Sequence, residues 1–396
     1  MGRDEVRHPV TLLALLAATG TSTPPPDPTL TWTARRQVSD RASTMTGGAG
    51  TWAPGASSVR VRQIIRHDCK DLRIAFTGAE TAWEIQSAAL EIGSTLYPLT
   101  FSGSRAGSVP LGGHLTADTL ALTVTAGTEV WVRYSPHGAD VGGSRGFAQG
   151  GISWQNVSGN LVDTLSWSGL PGTGLVVCPP AEISALTHPN NVAILALGDS
   201  ITEGGNDTAG GWFARGTAAA GLPALNASKW LQQMSTIMDG AGAWTATALS
   251  QRGPTGLSAF THVVCAHGTN DMNYNDLAGM QAKYTDLWEA LAGAGLTVAV
   301  RTIPPRTSST DDWATLANQT VTAAEPVRLA TNAWLRTEPG GVVCIDSAAQ
   351  VEHGGAESPS GKWRVDAGSI AGDGGHPGAA GHALMAAPFT AWLNTL

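Results

Sequence analysis

Charge is scarce in this chain. Only 14% of its 396 residues are Asp, Glu, Lys or Arg, and 31 acidic against 23 basic side chains leave a formal net charge of -8. So few Lys and Arg argue against nucleic acid as a partner, because binding a phosphate backbone takes a concentrated basic face. Long apolar runs are also missing. The run Val10–Ala18 falls short of the roughly 20 residues that cross a bilayer, so no membrane span is expected. It leaves two readings open, the core of a secretory signal or a short helical leader. The segment before it, with Arg3, Asp4, Glu5 and Arg7, has mixed charge where a signal is basic. Localisation is thus either secreted or periplasmic, or cytoplasmic.

Cysteine is too sparse, at 4 residues, to settle the redox compartment. Cys265 and Cys344 fall in apolar strand-like runs that suit buried free thiols, while Cys69 and Cys178 are candidates to pair with each other. Cofactor motifs are absent. There is no Gly-x-x-x-x-Gly-Lys-Ser/Thr loop and no glycine fingerprint in a strand-turn-helix context, so no nucleotide cofactor is expected. Cys265, His267, His376 and His382 are metal-ligand types without Cys-x-x-Cys or His-Glu-x-x-His spacing, so no metal is expected. A Gly-x-Ser-x-Gly elbow, the mark of another hydrolase fold, is lacking too.

What is present divides the chain. Residues 1–30 read as a leader followed by a stiff linker around Pro24-Pro25-Pro26. From 31 to 187, the strand-like runs Leu72–Thr77, Trp83–Ile92, Thr95–Phe101, Leu120–Val124 and Val130–Tyr134 recur at hairpin-scale intervals. They predict an antiparallel β-sandwich or jelly roll. From 188 to 396, strands alternate with helical stretches. Lys229–Met238 and Leu277–Leu291 carry helical spacing, and Leu296–Ile303 and Val342–Ile345 read as strands. That alternation predicts an α/β domain with a parallel sheet.

The chemistry concentrates at strand ends. The apolar run Val192–Leu197 leads into Gly198-Asp199-Ser200-Ile201-Thr202, which sets a serine hydroxyl beyond the carboxyl end of a buried strand, where α/β sheets bind ligands. Asp199 is suited either to cap the following helix or to act in a site. A second run, His262–Ala266, ends in Gly268-Thr269-Asn270-Asp271. Near the C-terminus, Asp373-Gly374-Gly375-His376-Pro377 puts a carboxylate within local reach of an imidazole. A serine needs a base, and the base needs a partner that fixes its tautomer. His376 and Asp373 suit those roles. The Asn270 carboxamide and the Ser200 N–H suit an oxyanion hole, in which one donor is worth roughly 100- to 1000-fold in rate.

These three blocks resemble, in order and rough spacing, the first, third and fifth blocks of the SGNH (GDSL-type) hydrolase superfamily, over about residues 190 to 396. The resemblance implies a three-layer α/β/α flavodoxin-like fold and ester hydrolysis through an acyl-serine. It implies Ser200 as nucleophile, His376 as base, Asp373 as its partner and Asn270 as oxyanion donor. One block departs from the pattern. Asn226-Ala227-Ser228 has serine where the family usually has a glycine, so the remaining oxyanion N–H falls to Ser228. The stretch from Val61-Arg62-Gln63 to Leu72-Arg73-Ile74 is similar to the N-terminal β-domain of some bacterial two-domain GDSL-type esterases.

Substrate is read from tryptophan, with 14 residues against 4 Tyr and 6 Phe. Trp154, Trp212 and Trp363 lie in loop-like stretches and suit either sugar stacking or core packing. The resulting expectation is a serine esterase for short acyl groups, including acetyl esters on carbohydrate. A longer-chain lipase or thioesterase stands as one alternative, and a carbohydrate-binding protein with a degenerate hydrolase domain as another.

Overall fold

Period-two burial builds the N-terminal part of the protein. The computed structural model describes residues 32–39, 57–78, 82–137, 154–165, 170–171, 182–238, 255–366 and 370–396. The leader, the Pro-rich linker and Cys178 lie outside these residues, as does the side chain of Trp154.

Two antiparallel sheets face each other. One orders Ala34–Gln37, Glu182–Thr187, Cys69–Thr77 and His114–Thr116, with Leu120–Val124 also on Cys69–Thr77. The other runs Leu170–Pro171, Trp154–Ser158, Ser57–Ile64, Glu129–His137, Trp83–Ile92 and Thr95–Leu99, with Gly107–Val109 also on Trp83–Ile92. Their inward residues share one core that includes Leu72, Ile74 and Phe76 from the first sheet and Val61, Ile85 and Val132 from the second. Phe76 meets Trp83 and Tyr134 edge-on across the gap, with ring centroids 6.0 and 5.3 Å apart, a favoured aromatic geometry. This is the expected sandwich. Cys69 is a free, buried thiol in it.

A parallel sheet follows, made of Ile194–Gly198, Ala224–Asn226, His262–Ala266, Thr297–Arg301 and Val343–Ile345. Numbered along the chain, its strands lie in the order 2-1-3-4-5, the flavodoxin-like arrangement. Both faces are covered, which is why the strands read as continuous apolar runs. Leu195, Leu197, Val263 and Val300 pack beneath helix Leu277–Gly293 on one face. Ile194, Ala196, Val264 and Ala299 pack beneath helices Gly211–Ala220 and Ala379–Leu393 on the other. The strand order reverses between Ile194–Gly198 and His262–Ala266, the switch point beyond whose strand ends sheets of this kind bind ligands.

The structure corrects three expectations. Of the segment expected to be helical from Lys229 to Met238, only Met234–Ile237 is α-helix. Leu231 sits at a φ of +59°, which no right-handed helix accommodates. Trp212 and Trp363 are wholly buried and are packing residues rather than sugar platforms. The strand expected over Leu296–Ile303 is confined to Thr297–Arg301, ahead of Pro304-Pro305.

Candidate active site

Ser200 opens a single helical turn, Ser200–Glu203, at the end of the first parallel strand. Asp199 caps that turn by accepting the Ile201 N–H at 3.0 Å, which satisfies one of the donors a helix start leaves open. Asp199 is fully buried. Burial pushes its carboxyl up, while the charge of Arg301 and the Ile201 bond pull it down without cancelling the rise. Arg301 is itself buried, with its Nη2 donating to the Ala266 carbonyl at 3.1 Å and its guanidinium over the Trp212 ring.

His376 arrives from the C-terminal loop. Its Nε2 lies 2.8 Å from Ser200 Oγ, and its Nδ1 lies 2.8 and 3.1 Å from the two Asp373 oxygens. The N–H groups of Gly375 and His376 also donate to Asp373 Oδ1, at 2.9 and 2.7 Å. Burial alone would raise the Asp373 carboxyl, but the His376 ring and these N–H bonds outweigh it and hold it below its ordinary range. An ionised Asp373 accepts the Nδ1 proton, and Nε2 is then left with a lone pair toward the serine.

Gly374 makes this loop shape possible. Its φ is +79°, and a Cβ there would collide with the Thr307 carbonyl and the Trp313 ring. Its own carbonyl is held by Thr307 N–H at 3.0 Å and by Trp363 Nε1 at 3.1 Å. Trp313 Nε1 donates in turn to Thr307 Oγ1 at 2.9 Å. Two tryptophans therefore pin the loop that carries Asp373 and His376.

Asn270 follows the third strand, one residue before the short helix Asp271–Asn273. Its carboxamide donates one hydrogen to the Gln232 carbonyl at 3.1 Å, which fixes the plane of the group and leaves its second N–H to aim elsewhere. Next to it, Asp271 accepts the Met234 N–H at 2.9 Å, and burial raises its carboxyl to about 6. Ser228 is placed differently. Its N–H donates to Asn226 Oδ1 at 3.1 Å, and its side chain is buried, so that N–H is engaged within the fold.

Sequence reasoning missed three contributors. Trp230 stacks on the His376 ring, with centroids 4.7 Å apart and planes 23° from parallel. Gly205 sits so close to both rings that a Cβ would press on His376 Cδ2 and Trp230. His382 Nε2 bonds the Gly205 carbonyl at 2.9 Å, and its Nδ1 accepts the Trp212 N–H at 3.2 Å. Because a backbone N–H only donates, His382 is neutral with its proton on Nε2, consistent with burial lowering it to about 4. No sequence signal marks these contacts except the position of Trp230 two residues after Ser228.

Residues 196–384 match the GDSL-like lipase/acylhydrolase family. A search of curated proteins returned no match. Among solved structures, the chain is similar to a member of the lipolytic G-D-S-L family from Veillonella parvula, at 18% identity and a TM-score of 0.38, covering 52% of this chain and 100% of that one. It is also similar to a family two carbohydrate esterase from Clostridium thermocellum in complex with cellohexaose, at 16% identity and a TM-score of 0.36, covering 88% of this chain and 94% of that one.

Proposed function

Starting from a chain whose residues 196–384 form a GDSL-like lipase/acylhydrolase domain, we propose that the protein is a serine esterase that removes short acyl groups from alcohols. The observation that carries this reading is His376 Nε2 standing 2.8 Å from Ser200 Oγ while Asp373 holds the opposite ring nitrogen. In the first step Ser200 Oγ attacks the ester carbonyl and its proton passes to His376 Nε2. The C=O electron pair moves to the oxygen, which takes hydrogen bonds from the second Asn270 N–H and the Ser200 backbone N–H. The C–O bond to the alcohol then breaks, and the leaving oxygen takes the proton from His376. Water, deprotonated by the same nitrogen, repeats the sequence on the acyl-serine and releases the acid.

The confined setting supports a small acyl group, since Ser200 is only 6% exposed. Acetate to decanoate esters of 4-nitrophenol test the reading. Turnover should be highest on acetate and fall steeply with chain length, whereas none on any length, or a rise toward decanoate, would count against it.

The loop makes a second prediction. Gly374→Ala should lower kcat by about 100-fold or more, because moving His376 by even ~1 Å spoils its alignment. Steady-state kinetics beside a melting curve will check it, and wild-type kcat in the variant would show that the loop tolerates the displacement.

We propose that the strand-rich region, residues 31–187, buttresses the catalytic part, residues 188–396. The Ser39 carbonyl takes the Ala224 N–H at 3.0 Å, and Glu182 takes the Thr255 N–H at 3.1 Å. His67 Nε2 bonds the Val192 carbonyl at 2.6 Å. These bonds support the outer parallel strand and the connection into Ile194–Gly198, at the foot of the Ser200 turn.

A further inference from the structure

The leaving alcohol must lie where His376 can protonate it. That requirement of the esterase reading confines its oxygen to hydrogen-bond distance of His376 Nε2, and the rest of the alcohol must rest against whatever covers the imidazole. In this structure the cover is Trp230.

The residue after Trp230 is unusual on three counts. Leu231 adopts a φ of +59°, where a leucine costs about 1–2 kcal/mol relative to the right-handed region. Its side chain is 67% exposed, so little core packing offsets that strain. Its neighbours on both sides are tied to the site, Trp230 by its stack on His376 and Gln232 by its carbonyl bond to Asn270. A glycine would relieve the strain at almost no loss of buried surface, and no packing among the described residues accounts for a leucine. Backbone strain of this kind gathers at ligand sites, and here it lies between two residues tied to the site.

We propose that Trp230 and Leu231 form the subsite for the leaving alcohol and that this alcohol is a sugar hydroxyl. The apolar surface offered is small, one indole and one isobutyl group, which matches a C–H face of a pyranose better than an extended chain. A polar group borders it: Asn206, exposed and directly after the Gly205 that touches both His376 and Trp230, is available to ring hydroxyls. Trp212 and Trp363, buried in the core, are excluded from such a role.

The test holds the acyl group constant and changes the alcohol. kcat/KM is measured for a monoacetylated glucose and for ethyl acetate, with wild type, Leu231→Ala, Leu231→Asp and Leu231→Gly, and with Ser200→Ala as the blank. Wild type should prefer the sugar ester, and the ratio of the two values should fall about tenfold in all three Leu231 variants. Leu231→Gly should also melt higher, which separates relief of backbone strain from loss of the side chain. An unchanged ratio in the variants, or a wild-type ratio near one, would overturn the proposal. So would a change in acetate-to-octanoate preference with the alcohol held fixed, which would put Leu231 on the acyl side. Absence of Ser200-dependent turnover on both esters would instead overturn the esterase reading, and this inference with it.

Discussion

Replacing Ser200 with alanine is expected to lower kcat on 4-nitrophenyl acetate by about 10⁴- to 10⁶-fold and to leave the fold intact. The substitution removes only Oγ, whose partner is His376. The cap on the helical turn is made by the Asp199 side chain and the Ile201 N–H, which alanine does not disturb. His376→Ala should cost a similar factor, and the double variant little more than either alone, because nucleophile and base act as a unit. Single-turnover kinetics with a fluorogenic acetate would read the effect directly. Residual activity within tenfold of wild type in a folded Ser200→Ala protein would dismiss the acyl-serine mechanism.

The second large effect concerns acid. His267 and His382 are fully buried, and burial lowers them to about 3 and about 4. In the unfolded chain each takes up a proton near pH 6.5. Between pH 6.5 and the folded values, the unfolded state therefore binds more protons than the native one. The stability these neutral rings contribute is full above pH 6.5 and is lost as pH falls, by about 1.4 kcal/mol per unit for each ring. Asp271 works in the opposite direction. Its carboxyl is raised to about 6 by burial, with the neighbouring Asp199 adding to the rise, so it favours the native state increasingly as pH drops from 6 toward 4. Among these three groups the two histidines outweigh Asp271, so together they lower stability from pH 6.5 to 4.5. Urea unfolding at those two pH values would measure it, and a flat or rising stability would refute it. Activity should fail with the fold, since a protonated His382 cannot accept the Trp212 N–H and its hold on Gly205, beside His376, is then weakened.

These two predictions differ in how far the sequence alone supports them. Ser200 was legible because an apolar run ending in Gly-Asp-Ser announces its own environment: a strand buried on both faces must end at the sheet's edge, and the next polar side chain stands beyond it. Asp373 and His376 were legible because three residues of loop allow one side chain to reach the other, and they do so at 2.8 Å. The β-strands of the sandwich were equally plain, since Trp83–Ile92 and Leu120–Val124 begin and end where the pattern places them.

The segment from Lys229 to Gln232 shows where that kind of inference stops. Apolar spacing there looks helical, but in the fold Trp230 stacks on His376 and the Gln232 carbonyl accepts the Asn270 N–H, with Leu231 between them at a positive φ that no helix continues through. Ser228 was indicated by its position in a block, yet the carboxamide of Asn226 two residues earlier takes its N–H. Burial of His382 cannot be seen from a histidine in a small-residue stretch, and it exists only because the Ala379–Leu393 helix packs against Gly211–Ala220.

The sequence by itself thus determined which strands form, where the serine, the asparagine and the Asp–His pair emerge, and the class of chemistry they suit, because each of those depends on residues close together in the chain. The tertiary structure alone decided which tryptophans face the core and which one covers His376. It also decided which N–H groups remain open and which titratable groups lose their water, because each of those depends on what distant segments bring against the site.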